Sequence, residues 1–168
     1  MPNLSFDFVT ALRSWHWFDR EASLKEIRRI LKPGGFLIVM DSGFVSFDQV
    51  VKDTMKMLKK FIPAEQLKPA GSKADSKQSI NSFPIEWFKE WEKYGFDMTD
   101  TYNFDYKVSF TTEEWCERIG TLSWLLHLGE KERNVIIKKI HSHLIDKYKD
   151  GKHSITHKFY LVLLKSSS

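Results

Sequence analysis

The residues with the clearest capacity for chemistry lie in Trp15-His16-Trp17-Phe18-Asp19. An imidazole titrates near neutrality, so His16 can accept a proton from a carboxylic acid or hydroxyl, or simply orient one. The competing reading is a structural histidine held between two tryptophans. Trp15, Trp17, Ser123 and Trp124 together suit the wall of a small-molecule pocket, where aromatic faces and a few hydroxyls receive an organic acid or alcohol. Taken singly, each tryptophan reads first as core. Asp41 closes an apolar run and is placed to face such a pocket, whereas Asp7 is expected to cap or pair locally.

Other reactive side chains carry less. His141 and His143 are two apart on an expected helix, about 200 degrees round its axis, and so are poorly placed to share a metal. Cys116 follows a helix start, which lowers a thiol pKa, but no base accompanies it and a buried small residue is the better reading. As the single cysteine of 168 residues, it excludes an intrachain disulfide and a multi-cysteine zinc site. No metal site is expected.

The elements that must position His16 and Asp41 are legible around them. Phe6 to Leu12 reads as a strand. Asp19 is set to cap a helix from Arg20 to Leu31, with Glu21 in its first turn, Arg28, Arg29 and Lys32 near its end, and an apolar face of Ala22, Leu24, Ile27, Ile30 and Leu31. Leu31-Lys32-Pro33-Gly34-Gly35 ends the helix in a tight turn, and Phe36-Leu37-Ile38-Val39-Met40-Asp41 suits a strand covered on both faces, as in a parallel sheet. A strand-helix-strand unit of this kind is expected to be right-handed, with His16 at the carboxyl edge of the sheet, where open α/β sheets bind ligands.

The remainder is more varied. Ser42-Gly43 breaks the strand, and a helix is expected from about Ser46 to Phe61 with Phe47, Val50, Val51, Thr54, Leu58 and Phe61 on one face. Residues 63–82 are polar and read as a long surface loop. A short helix carrying Ile85, Trp87, Phe88 and Trp91 ends at Gly95. Tyr102, Phe104, Tyr106, Val108 and Phe110 then alternate with polar residues as in a half-buried strand. Thr111-Thr112-Glu113-Glu114 is a capping box opening a helix, a further helix spans about Glu130 to Tyr148, and Ile155 to Lys165 forms a final strand.

The order of strand, Trp15-His16-Trp17-Phe18-Asp19, amphipathic helix, Leu31-Lys32-Pro33-Gly34-Gly35 and strand resembles the fourth and fifth strands of a class I S-adenosylmethionine-dependent methyltransferase. It is most similar to the type 11 methyltransferase domain, in the small-molecule branch that includes trans-aconitate methyltransferase-like proteins. Thr111-Thr112-Glu113-Glu114-Trp115, Thr121-Leu122-Ser123-Trp124 and the closing strand resemble that family's sixth strand, inserted helical cap and seventh strand, the last lying antiparallel between the fifth and sixth.

The resemblance implies an α/β fold, a partial Rossmann-like methyltransferase sheet of strands four to seven with flanking helices and a small helical cap. It implies a single partial domain over 1–168, with a strand-helix-strand-helix core at 1–62, a polar loop at 63–82, and a helix, antiparallel strands and helical insertion at 83–168. It implies S-adenosylmethionine as cofactor, with the backbone of Thr10, Ala11 and Leu12 beside it, and a small molecule as methyl acceptor. None of the eight glycines is spaced Gly-x-Gly, the turn by which the family approaches the cofactor. A second expectation therefore stands beside the enzyme: a truncated, catalytically inactive half-domain that binds a partner chain or self-associates. The fourth strand would expose a hydrogen-bonding edge, favouring a homodimer or an amino-terminal partner chain.

Composition narrows the rest. A net charge of +4 with dispersed Lys and Arg does not make the focused basic face of a nucleic-acid binder. No apolar run approaches the roughly 20 residues that span a bilayer, and the start lacks a leader pattern, so a cytoplasmic protein without membrane partners is expected.

Overall fold

The computed structural model describes residues 3–167. In chain order these form β1 (Phe6–Leu12), α1 (Arg20–Ile30), β2 (Leu31–Phe44), α2 (Gln49–Leu58), β3 (Ser79–Ile80), β4 (Phe83–Pro84), α3 (Ile85–Lys93), β5 (Phe96–Thr111), α4 (Thr112–Gly120), α5 (Ser123–Leu126), α6 (Glu130–Lys147) and β6 (Lys152–Ser166). Single 3-10 turns occur at Trp15–Trp17, Ala64–Gln66 and Gly71–Lys73. The main sheet has the order β1-β2-β6-β5 and, with helices flanking it, makes a mixed α/β arrangement. The chain divides into two compact units, one of residues 1–43, 69–104 and 158–168, the other of 44–68 and 105–157.

In the first unit, β1 and β2 are parallel, with Val9 opposite Leu37, Thr10 opposite Ile38, Ala11 opposite Val39 and Leu12 opposite Met40. The tight turn expected after α1 is present as an irregularity inside β2. Pairing jumps from Phe6–Leu31 to Phe8–Phe36, so Lys32-Pro33-Gly34-Gly35 bulges from the ladder. Gly34 takes φ +74°, and a Cβ on Gly35 would meet the carbonyls of Asp7 and Lys32 at 3.0 Å. Lys32 pairs with Asp7, the local partner expected for that carboxylate.

The Asp19 carboxylate accepts from the Ala22 amide and starts α1 as expected. Leu24 and Ile27 of α1 and Trp87 and Trp91 of α3 share a core with Leu37, Val39, Val162 and Leu164. Only one face of β2 is fully buried. Phe36, Ile38 and Met40 on the other are half-buried, with Phe36 stacked on the exposed Phe8 at 5.9 Å, so the strand is less covered than its apolar run suggests. β1 is an edge strand among the described residues, exposing Phe6, Phe8 and Leu12.

β5 holds the other edge. Thr99 Oγ1 donates to the Leu163 carbonyl and Thr101 Oγ1 to that of Leu161, while the Ser167 amide reaches the Gly95 carbonyl. Rising numbers on β5 meet falling numbers on β6, so the two are antiparallel. The period-two pattern expected to bury Tyr102 and Phe104 leaves both more than half exposed on this edge strand, although Phe104 stacks on Phe159 with ring centres 5.1 Å apart.

The second unit is built on α2, α4 and α6. Val50, Val51 and Leu58 pack with Trp115, Ile119, Ile136, Ile140 and Leu144. α2 begins at Gln49, three residues later than its apolar periodicity implies, because the Asp48 side chain caps it through the Val50 amide; Phe47 stays outside, 62% exposed. The capping box at Thr111 and Glu114 forms with both reciprocal bonds. Asp53 of α2, 7% exposed, accepts from Lys147 at 2.6 Å and from the Tyr148 hydroxyl at 2.6 Å, tying α2 to the end of α6.

Burial pushes the Asp53 pKa up, but the bonds from Lys147, Tyr148 and Gln49 outweigh it and hold the carboxyl below its ordinary 3.8. A depressed carboxylate contributes stability that is present above the unfolded-state pKa and lost as pH falls through the folded one. Asp53→Ala is expected to cost about 1–3 kcal/mol at pH 7, the usual range for hydrogen bonds to a charged group. In urea denaturation the gap between the two proteins narrows below about pH 3.8.

Candidate functional site

The parallel register fixes where chemistry can occur. With Leu12 opposite Met40, the chain leaving β1 and the side chain of Asp41 on β2 come to the same carboxyl edge of the sheet. Arg13 turns with φ +53°, its amide donating to the Met40 carbonyl at 2.9 Å, and Trp15–Trp17 makes one 3-10 turn that carries His16. Trp15, 2% exposed, anchors this turn in the core by an edge contact with Phe18 and a tilted one with Trp91. Its indole nitrogen has no hydrogen-bond partner, so apolar packing alone holds it.

A tight cleft, with no room for a water-sized sphere, lies at this edge and is lined by His16, Asp41, Lys73, Phe83 and Trp87 together with Trp15 and Val39. Lys73 comes from the 3-10 turn Gly71–Lys73. Its ammonium forms an ion pair with Asp41, both side chains largely buried, and lies 5.7 Å from the Phe83 ring centre and 5.8 Å from that of Trp87. Asp41 also accepts from the Ser42 amide at 2.8 Å. The imidazole of His16 is half-buried beside Trp17, ring centres 4.9 Å apart.

Desolvation is the main force on His16 and lowers its pKa below 6.5; Asp41 works in the opposite direction, while Lys73 and Arg13 add to the lowering. At neutral pH the ring is uncharged and able to accept a proton, the state that a base or an orienting acceptor requires.

The sequence-derived candidates therefore divide. His16, Trp15 and Asp41 meet in one cleft. Trp17 adjoins His16 but is 62% exposed. Thr10, Ala11 and Leu12 form the end of β1: Ala11 is buried in the core, and Thr10 and Leu12 are exposed at the strand edge. Ser123 and Trp124 belong to the second unit, where the exposed Ser123 opens α5 and the Trp124 indole donates to the Lys68 carbonyl at 2.6 Å. Cys116 is buried and its pKa is pushed up to about 12, chiefly by desolvation, which suits an inert core thiol. His141 pairs with Glu113 at the surface. Among the described residues no group of His, Cys, Asp or Glu is arranged to hold a metal, and no helix is long and apolar enough to cross a membrane.

Lys73, Phe83 and Trp87 are cleft residues that sequence reasoning missed, and Lys73 is the charged one among them. Its segment is polar and lacks periodicity, so composition marks it as loop; the available signal was Gly71, whose φ of +56° hints at a turn built to approach another backbone.

Residues 1–39 match a family model described as a methyltransferase domain. Over 38 residues, 22% of this chain and 18% of the relative, the chain is 58% identical to the uncharacterized protein YafE of Escherichia coli K12. It is 28% identical over 140 residues, 83% of its own length, to an uncharacterized methyltransferase-like protein of Schizosaccharomyces pombe. The chain spans about half the length of that relative, 48%. Among solved structures, loganic acid methyltransferase with S-adenosylhomocysteine superposes with a TM-score of 0.56 at 13% identity, over 100% of this chain and 63% of the other, a likeness of fold.

The position of His16 between two charges gives a direct check. Asp41→Asn removes the neighbour that favours the imidazolium, so the His16 titration midpoint, followed by NMR of the ring protons, should move further below 6.5. A midpoint that stays in place would separate Asp41 from His16.

Proposed function

We propose that this chain belongs to the class I S-adenosylmethionine-dependent methyltransferases and serves in methylation of a small molecule bearing a carboxylic acid or hydroxyl, with His16 at the acceptor position. The observation that carries this reading is the neutral, desolvated imidazole of His16 in an aromatic cleft at the carboxyl edge of a parallel strand pair. A base in that place takes the proton of a hydroxyl acceptor and leaves its oxygen nucleophilic, or orients an acid that is already a carboxylate, while Trp15, Trp87 and Phe83 keep water from competing. Asp41 then stabilises the imidazolium that forms, since its negative charge favours the protonated ring.

S-adenosylmethionine is the cofactor that family membership implies, and its sulfonium supplies an already reactive methyl group. The cleft as it stands does not fit it. With no room even for a water-sized sphere, it falls short of the roughly 300 Å³ at which pockets for such ligands begin, and Lys73 stands in it. The roles of Thr10, Ala11 and Leu12 beside a cofactor accordingly remain a proposal from family likeness.

The test combines binding with turnover. S-adenosylhomocysteine titrated into the purified chain by calorimetry is expected to bind saturably. Methyl incorporation from labelled S-adenosylmethionine into a panel of small hydroxyl-bearing molecules should fall about 100-fold in His16→Gln with little change in S-adenosylhomocysteine affinity, a loss typical of a missing general base. No binding up to millimolar ligand overturns the assignment of cofactor handling to this chain alone, and equal rates in His16→Gln overturn the role of His16.

A further inference from the structure

The disagreement between the cleft and the ligand it is read to receive has a structural cause, and we infer that residues 69–74 are a strap latched over the cleft by Lys73, which must lift before a ligand enters. This rests on the cleft being a ligand site, as proposed above.

Four observations carry it. The chain on either side of the strap is largely exposed, yet Lys73 itself is turned inward, its side chain only 13% exposed. Its ammonium makes a single kind of hydrogen bond, to Asp41, and otherwise lies against the faces of Phe83 and Trp87. Such cation–aromatic contacts contribute more when desolvated, as here, than at an open surface.

Beside the latch, Ser72 Oγ donates to the His16 carbonyl at 3.3 Å. Gly71 completes the seal. With φ +56° it lies so close to His16 that a Cβ there would stand 2.2 Å from the His16 carbonyl oxygen, a position no L side chain can occupy. The strap therefore closes on the backbone of the turn that presents His16, and with Lys73 it fills the space next to the imidazole.

These contacts are also few, which is what a movable strap requires. No residue from 71 to 73 is fully buried, and the single 3-10 turn has one internal bond recorded, from the Ala74 amide to the Gly71 carbonyl at 3.0 Å. Segments held by so few buried contacts open at free energies well below global unfolding. Lifting the strap removes Lys73 from Asp41, leaving the carboxylate and the imidazole side by side and open at the edge of the sheet.

The latch is tested without any cofactor. In Lys73→Met, which keeps the length and apolar stem of the side chain, hydrogen exchange at the Ala74 amide is expected to quicken at least tenfold, and the His16 titration midpoint to rise as a neighbouring positive charge is lost. Lys73→Arg should restore slow exchange. Gly71→Val, which drives a side chain into the His16 carbonyl without altering charge, should also speed exchange across residues 69–74. Unchanged exchange in both Lys73→Met and Gly71→Val overturns the latch, whatever the outcome for methyl transfer.

The gating role is read separately. S-adenosylhomocysteine should bind Lys73→Met about tenfold more tightly than the parent chain. If exchange quickens while affinity stays the same, or if neither protein binds, the closed strap is not what keeps a ligand out.

Discussion

The parallel pairing of β1 with β2 is the constraint from which the site follows. Side-chain direction alternates along a strand, so shifting this register by one residue would turn Leu37 and Val39 out of the core and move Asp41 to the opposite face. The core prevents that shift. Leu37 and Val39 are fully buried, and Leu24, Ile27, Trp87 and Trp91 close over them. The bulge at Lys32-Pro33-Gly34-Gly35 absorbs the mismatch between where α1 ends and where the ladder must begin, and from Phe8 onward the pairing is regular. The turn carrying His16 and the end of β2 carrying Asp41 are thus brought together by apolar packing several residues away from either.

Polar groups are treated differently in the two units. In the first, the ion pair of Lys73 with Asp41 sits in a cleft and links a loop to a strand. In the second, Asp53 is enclosed by Lys147, Tyr148 and Gln49, and Thr54 accepts from the Trp115 indole while donating to the Val50 carbonyl. Every donor in that second network joins regular helices or their ends, so it fixes how helices pack. A cation on a loop, by contrast, fixes only the position of the loop. The difference separates a carboxylate that ties helices together from one that holds a loop beside a cleft, although both are paired with lysine.

The first forty residues were the most readable part of the chain, for physical reasons. Asp19 caps α1, Pro33 cannot continue it, Gly34 takes positive φ, and the apolar run from Phe36 has nowhere to go but a sheet, so each local preference agrees with the tertiary outcome. The capping box at Thr111 was legible for the same reason. At β5 the reading failed in degree: alternation marks a strand, but burial depends on how far neighbours cover the face, and on this edge strand Tyr102 and Phe104 stay more than half exposed. The start of α2 was decided by the Asp48 carboxylate rather than by the apolar period, which Phe47 satisfies without being buried. Lys73 was illegible because a long-range ion pair leaves no local periodicity. That Ser123 and Trp124 lie in a separate compact unit from His16 was equally beyond a reading that joins residues by type.

The burial of Cys116 has a practical consequence. Its thiol is 3% exposed, flanked by Trp115 and Ile119 in the core, and remains protonated through the whole range of ordinary buffers. Thiolate is the form that reacts with maleimides, disulfides and peroxide. The native thiol is therefore a poor target for thiol-directed reagents in the folded chain, and a cysteine introduced on the surface would label in preference to it.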